Sequence, residues 1–217
     1  MNQPTDTHSQ TESVDLFQTK WLNFLTRSHV SVPISMVAAF SAWLLYRSSH
    51  LTSFTALQTA GLFFAGLLFF TFAEYALHRN LYHLEPSAEW RKRFTYVVHG
   101  VHHDYPKDRS RIAMPPIGII IYLVVFYALF TLLLGDYGYS TLAGFATGYC
   151  IYQGIHYMVH AYRPPNNIFR ALWTNHAIHH YQDDTVLFGV SSPLWDYVFG
   201  TRPKKKNKRS NVEVSAK

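Results

Sequence analysis

Long parts of this chain carry no charge at all. Between Arg27 and Arg47 there are 19 residues without Asp, Glu, Lys or Arg, and the intervals Arg47–Glu74, Arg111–Asp136 and Asp136–Arg163 hold 26, 24 and 26 more. A bilayer-spanning helix needs about 20 mostly apolar residues at about 1.5 Å rise each. The mean hydropathy of −0.04 conceals this pattern, because the charges are segregated rather than sparse. Cysteine is nearly absent too. Cys150 stands alone, so an intrachain disulfide is excluded and a thiolate metal site is disfavoured. Residues 1–15 have no basic stretch feeding an early apolar run, so no cleaved signal peptide is expected.

The charge-free intervals predict four spans, at about 29–46, 54–76, 115–134 and 138–160. Gly61–Phe70 and Ile117–Leu134 are apolar nearly all round, unlike the striped core helix of a soluble protein. The fourth span contains Tyr149, Tyr152, Gln153 and four glycines, and is expected to face other helices more than lipid. Pro115-Pro116 marks the start of the third. Residues 16–27 place Leu16, Phe17, Trp21, Phe24 and Leu25 on one side, which reads as a helix lying along the membrane surface or as the start of the first span.

Basic residues orient these spans. Lys20 and Arg27 precede the first, seven lie between spans two and three, nine follow span four, and only Arg47 falls in a loop on the other side. The positive-inside rule then places both termini and residues 77–114 in the cytoplasm. The net charge of +6 (19 minus 13) needs no nucleic acid to explain it. The run Lys204, Lys205, Lys206, Lys208 and Arg209 suits anionic headgroups or a solvated, disordered tail. The expected organisation is a tail and interfacial helix over 1–28, a membrane domain over 29–201, and a basic tail over 202–217. The fold class is all-α, an integral membrane unit of four transmembrane helices with a cytoplasmic histidine-rich helical cap.

Against this background the histidines stand out. Ten of 13 fall in four clusters: His78 and His83; His99, His102 and His103; His156 and His160; His176, His179 and His180. About 0.05 His-x-x-His-His triples are expected by chance, and the chain has two. Neutral imidazole is the commonest metal ligand, and residues three or four apart share a helix face. Imidazole-only ligation points to iron, zinc, copper or nickel rather than magnesium or calcium. Ten ligands exceed any one ion, and a closed zinc site takes four. Divided between two octahedral ions they give about five each, leaving roughly one open position per metal. Carboxylates are expected behind the imidazoles, and the candidates are Glu74, Asp104, Asp183 and Asp184. His78 and His83 are about 140° apart on a regular helix, so both cannot point one way there, and span two should end near His83, before Pro86. A further helix at about 168–182, after the Pro164-Pro165 turn, carries the last triple. His8, His29 and His50 are expected to face solvent or the interface, and Tyr82, Tyr105 and Tyr181 to pack near the site.

The blocks His99-Gly-Val-His102-His103-Asp-Tyr-Pro-Lys-Asp-Arg-Ser-Arg-Ile-Ala-Met-Pro-Pro116 and Phe188-Gly-Val-Ser-Ser-Pro-Leu-Trp-Asp-Tyr-Val-Phe-Gly-Thr201 resemble the fatty acid hydroxylase superfamily, its fatty acid 2-hydroxylase branch above all. The likeness covers about residues 60–201, with no ligand position missing. It implies a di-metal centre, iron by expectation although zinc is compatible with purified protein, that uses O2 as co-substrate to hydroxylate a lipid acyl chain beside its carbonyl. Related enzymes hydroxylate or desaturate sterols, sphingoid bases or ornithine lipids. Many eukaryotic 2-hydroxylases carry a fused cytochrome b5 domain, which the short N-terminus here is not expected to accommodate. Electrons are therefore expected from a separate cytochrome b5-like or ferredoxin-like donor, and the expected location is a bacterial inner membrane rather than the endoplasmic reticulum. No protein nucleophile separate from the metal ligands is expected. The rival readings are a metal transporter, whose site would lie near the midplane, and a bis-histidine haem carrier, which leaves most of these histidines unused.

Overall fold

A computed structural model of the chain describes residues 15–83 and 88–203, and every regular element among them is helical. Helix α1 (Lys20–Leu25) is followed by α2 (Ser31–Leu51), α3 (Ala56–Leu77), α4 (Glu89–Thr95), α5 (Val101–Asp104), α6 (Pro116–Leu134), α7 (Tyr137–Ala161), α8 (Arg170–Tyr181) and α9 (Leu194–Val198). The charge-free intervals thus become α2, α3, α6 and α7, and the last triple lies on α8. The expected surface helix over 16–27 is shorter than its apolar pattern, six residues only. Pro86, His8 and the basic run 204–209 lie outside the described residues.

Among the described residues, two helices are long and apolar enough to cross a membrane, α3 with the turn that extends it to Tyr82, and α6. Their starts follow local rules. Thr55 and Gln58 form a reciprocal capping box that satisfies orphan N–H groups at the head of α3. Pro116 stands first in α6, where a missing N–H costs nothing. Gly135 closes α6 at φ +55°, a left-handed conformation that a β-carbon would oppose.

Helix α7 is the spine of the bundle. It runs antiparallel to α2, joined by Ser48 to Ser140 at 2.7 Å and by the Ser41 hydroxyl donating to the Ala143 carbonyl at 2.9 Å. It runs parallel to α3, and there the backbones touch. A β-carbon at Gly144 would sit 1.8 Å from the Phe63 carbonyl oxygen, and one at Gly66 equally close to that of Thr141. Small residues permit this approach where lipid supplies no hydrophobic push between helices. Phe70, Phe130, Phe145 and Tyr149 fill the space beside the crossing. As expected for the 138–160 interval, α7 faces other helices. Because α3 and α7 run side by side, their C-terminal ends emerge together, and both carry histidines.

Candidate metal centre

At the end of α3 the backbone widens. His78–Tyr82 forms a π-helical turn, closed by the His83 amide donating to the His78 carbonyl at 3.2 Å. The expected end of the regular helix near His83 is found here, and its form is what the sequence did not show. On a regular helix His78 and His83 would point apart, but an i→i+5 turn brings residue i+5 back beneath residue i, and the two Nε2 atoms are 3.2 Å apart. A second π turn, Tyr96–Gly100, introduces His99.

All ten clustered histidines converge, in two adjoining groups of five. His78, His83, His99, His103 and His179 form one; His102, His156, His160, His176 and His180 form the other. In each group one ring nitrogen per residue lies within 4.8 Å of the rest. The triples are split between groups. His99 with His103 and His176 with His180 are i,i+4 pairs and stay together. His102 and His179, one residue before the second member of each pair, sit about 100° round the helix and cross to the opposite group. The rings of His103 and His180 stack at 4.1 Å where the groups meet.

The donor chemistry of these groups can be compared with that of a metal site. Neighbouring Nε2 atoms lie 3.0–3.2 Å apart in the first group and 2.8–3.0 Å in the second. Nitrogens about 2.1 Å from a shared centre at right angles are separated by about 3.0 Å. In a neutral ring Nε2 is either donor or acceptor, never both, so five converging Nε2 atoms cannot all be paired with one another. The donor set therefore fits a metal ion in each group. Burial, with repulsion between neighbouring imidazolium forms, holds His83 down at about 4 and His103 at about 3. Burial also pushes His99, His102, His176, His179 and His180 below the ordinary histidine value. They stay neutral, the form that binds metal.

The loop over 186–193 reaches back to orient the first group. The Val186 carbonyl accepts from Nδ1 of His179 at 2.7 Å, and the Phe188 carbonyl from Nδ1 of His78 at 2.6 Å. Each bond fixes the tautomer that leaves Nε2 free to ligate. Glu74, buried on α3, does not bond an imidazole; it accepts from the backbone amides of Val190 (2.7 Å) and Ser191 (2.8 Å) and from the Ser191 hydroxyl. Asp184 lies 3.8 Å from Nδ1 of His83. Asp183 instead caps its own turn through the Thr185 amide and hydroxyl, and exposed Asp104 bonds the Tyr96 hydroxyl.

Asp196 escaped the sequence reading. It is fully buried and accepts from the amides of Phe188 and Gly189, both at 2.9 Å, and from the Thr201 hydroxyl at 2.7 Å. Its only sequence signal was an acidic residue inside the apolar run Leu194–Phe199. Tyr152 was also missed as a site residue; its ring stacks on His156 at 5.4 Å, much as Tyr82 stacks on His99 at 5.0 Å. Gln153, buried on α7, donates to the Ile112 carbonyl and anchors the loop before α6. His29 and His50 are exposed, as expected.

Residues 63–201 match the family model for fatty acid hydroxylase. The chain belongs to that family. It is 32% identical over 190 residues to the ceramide very long chain fatty acid hydroxylase scs7 of Schizosaccharomyces pombe, an alignment covering 86% of this chain and 54% of that protein. It is 37% identical over 139 residues to the dihydroceramide fatty acyl 2-hydroxylase FAH2 of Arabidopsis thaliana, covering 64% and 59%. The solved structure of full-length scs7p, in which only the hydroxylase domain is visible, superposes with a TM-score of 0.74 at 31% identity, covering 85% of this chain and 70% of that one. The chain spans about half the length of the curated relatives it matches. The fatty acid hydroxylase match runs from α3 through Thr201, taking in all ten histidines, Glu74 and Asp196.

Proposed function

We propose that this protein hydroxylates the acyl chain of a fatty acid or of a sphingolipid such as ceramide, at C2. The convergence of ten histidines into two adjoining groups, in a chain of this family, carries the reading. The relatives' names supply the substrate class and the position of attack. The ten are proposed as metal ligands, five to each ion. Two iron ions bound there would supply O2-dependent oxidation, fed by electrons from a separate cytochrome b5-like or ferredoxin-like carrier. Hydroxylation of another lipid, or desaturation, is the alternative within the same chemistry.

The chain's own residues have three tasks in this reading. Neutral, tautomer-fixed imidazoles present lone pairs without first losing protons. Helices α3 and α7 deliver His78, His156 and His160 where the bundle ends, so an acyl chain rising along the apolar helices meets the histidines beyond the bilayer. Phe188 packs its ring 5.6 Å from both His83 and His179 and keeps water off that face. Helices α2 and α7 are proposed as the remaining two spans. Their serines and threonines bond one another across the interface rather than meeting lipid.

The excess of Lys and Arg on the histidine side supports a cytoplasmic position for the cap. The relatives named above are eukaryotic, so the proposal of a bacterial inner membrane takes no support from them; membrane fractionation of the source cells tests it. The decisive experiment is lipid mass spectrometry of cells with and without the gene. A species heavier by one oxygen, with fragmentation placing the hydroxyl at C2, is the expected outcome. Unchanged lipids with altered cellular iron or zinc would instead mark a metal transporter.

A further inference from the structure

The two five-histidine groups are equally buried, yet they are held differently. In the first, His78 and His179 each donate Nδ1–H to a carbonyl of the 186–193 loop, and His83 has Asp184 beside its Nδ1. In the second, Nδ1 of His102, His156, His176 and His180 is buried with no protein partner. An imidazole whose second nitrogen is engaged has a fixed tautomer, a fixed ring plane and a more basic ligating nitrogen. A ring without that bond must select its tautomer and orientation only when the metal arrives. A small cavity also adjoins the second group. It has a volume of about 70 Å³ and lies against His160 and His176, lined besides by Lys107, Trp173 and Tyr181.

The loop that makes the difference is pinned from below. Asp196 receives two of its amides, Glu74 two more, and both carboxylates are buried. Asp196 also takes the Thr201 hydroxyl, which meets the Tyr75 hydroxyl at 3.1 Å, and that in turn accepts from Arg79 at 2.9 Å. Asp196 and its partners thereby tie the carbonyl of Phe188 to the same helix that presents His78.

We propose that the metal sites are unequal: His78, His83, His99, His103 and His179 form the retained site, the other five form the exchangeable site, and Asp196 is the positioning residue behind the difference. This rests on the di-metal reading above. The test uses the full chain in detergent, loaded with Co(II) and dialysed against a graded chelator series. Metal per chain is measured by elemental analysis, and site geometry by visible absorption.

Two release steps of one metal each are expected. His176→Ala should abolish the early step and spare the late one, while His83→Ala should abolish the late step. Asp196→Asn should move the late step to about 10–100-fold lower chelator, shift its absorption bands, and leave the early step in place. A single concerted release, or loss of the late step in His176→Ala, overturns the proposal, as does an Asp196→Asn variant that shifts both steps equally. If Asp196→Asn does not fold, the two histidine variants still decide which group is retained. A chain that binds no metal at any chelator concentration refutes the di-metal reading itself, a different result from two metals released in the wrong order.

Discussion

Helices α6 and α7 are neighbours of similar length and opposite temperament. Over α6 the mean hydropathy reaches 2.7, and among its 19 residues only Ile119 and Phe130 are buried. Over α7, which holds glycines, hydroxyls and an amide, 11 of 25 residues are buried and two clustered histidines emerge near its end. Hydropathy therefore tracks exposure on the outside of the bundle, and the less apolar helix carries the packing and the site. In a bilayer, apolar side chains gain little by meeting one another. Close backbone approach and shared hydrogen bonds decide which helices pair.

The sharpest way to break this contrast is at the end of α7. His156→Ala should remove one metal from the second group and lower lipid hydroxylation by more than about 100-fold, read by metal content and lipid mass spectrometry. Acid should separate the cap from the bundle next. In the metal-free protein His83 and His103 are held at about 4 and about 3, below the ordinary 6.5. The unfolded chain then binds more protons, so stability is full above 6.5 and lost as pH falls through that value toward 4 and 3. Melting temperatures across a pH series should fall in that window, while α6, which has no histidine, keeps its helical signal.

Gly144→Leu should follow, at about 3 kcal/mol or more, because its side chain would enter the α3 backbone at Phe63. A detergent-melt midpoint measures it, and an unchanged midpoint would remove α3–α7 contact as the basis of the comparison. Ser48→Ala should cost about 1 kcal/mol by leaving the buried Ser140 hydroxyl unpaired. Leu132→Ala on α6, at a position 84% exposed, should change the midpoint least, by under about 0.5 kcal/mol.

Much of this was legible in one dimension. Four helices lie where charge is absent, α8 carries the last triple, and all ten histidines reach a metal-competent group. The spacing of His78 and His83 showed that the regular helix must end there, but not that it would end in a π turn. Nor was the role of Asp196. An acidic residue in an apolar segment signals burial, but not which amides it will receive. Glu74 was singled out as a carboxylate behind the imidazoles, yet it bonds none of them, and its partners belong to a loop more than a hundred residues away. Asp104 and Asp183, chosen for adjacency along the chain, bond elsewhere, because adjacency sets distance along the backbone and not direction.

Periodicity and charge segregation are local properties, so the chain alone determined where helices form, which stretches suit lipid, and that imidazoles would be gathered in ligand-like clusters. How the ten histidines divide depends on which helix ends emerge side by side. That follows from Gly66 and Gly144 letting α3 and α7 touch, and from a distant loop bending back over His78 and His179. Those contacts join residues far apart in sequence, and only packing in three dimensions chose them.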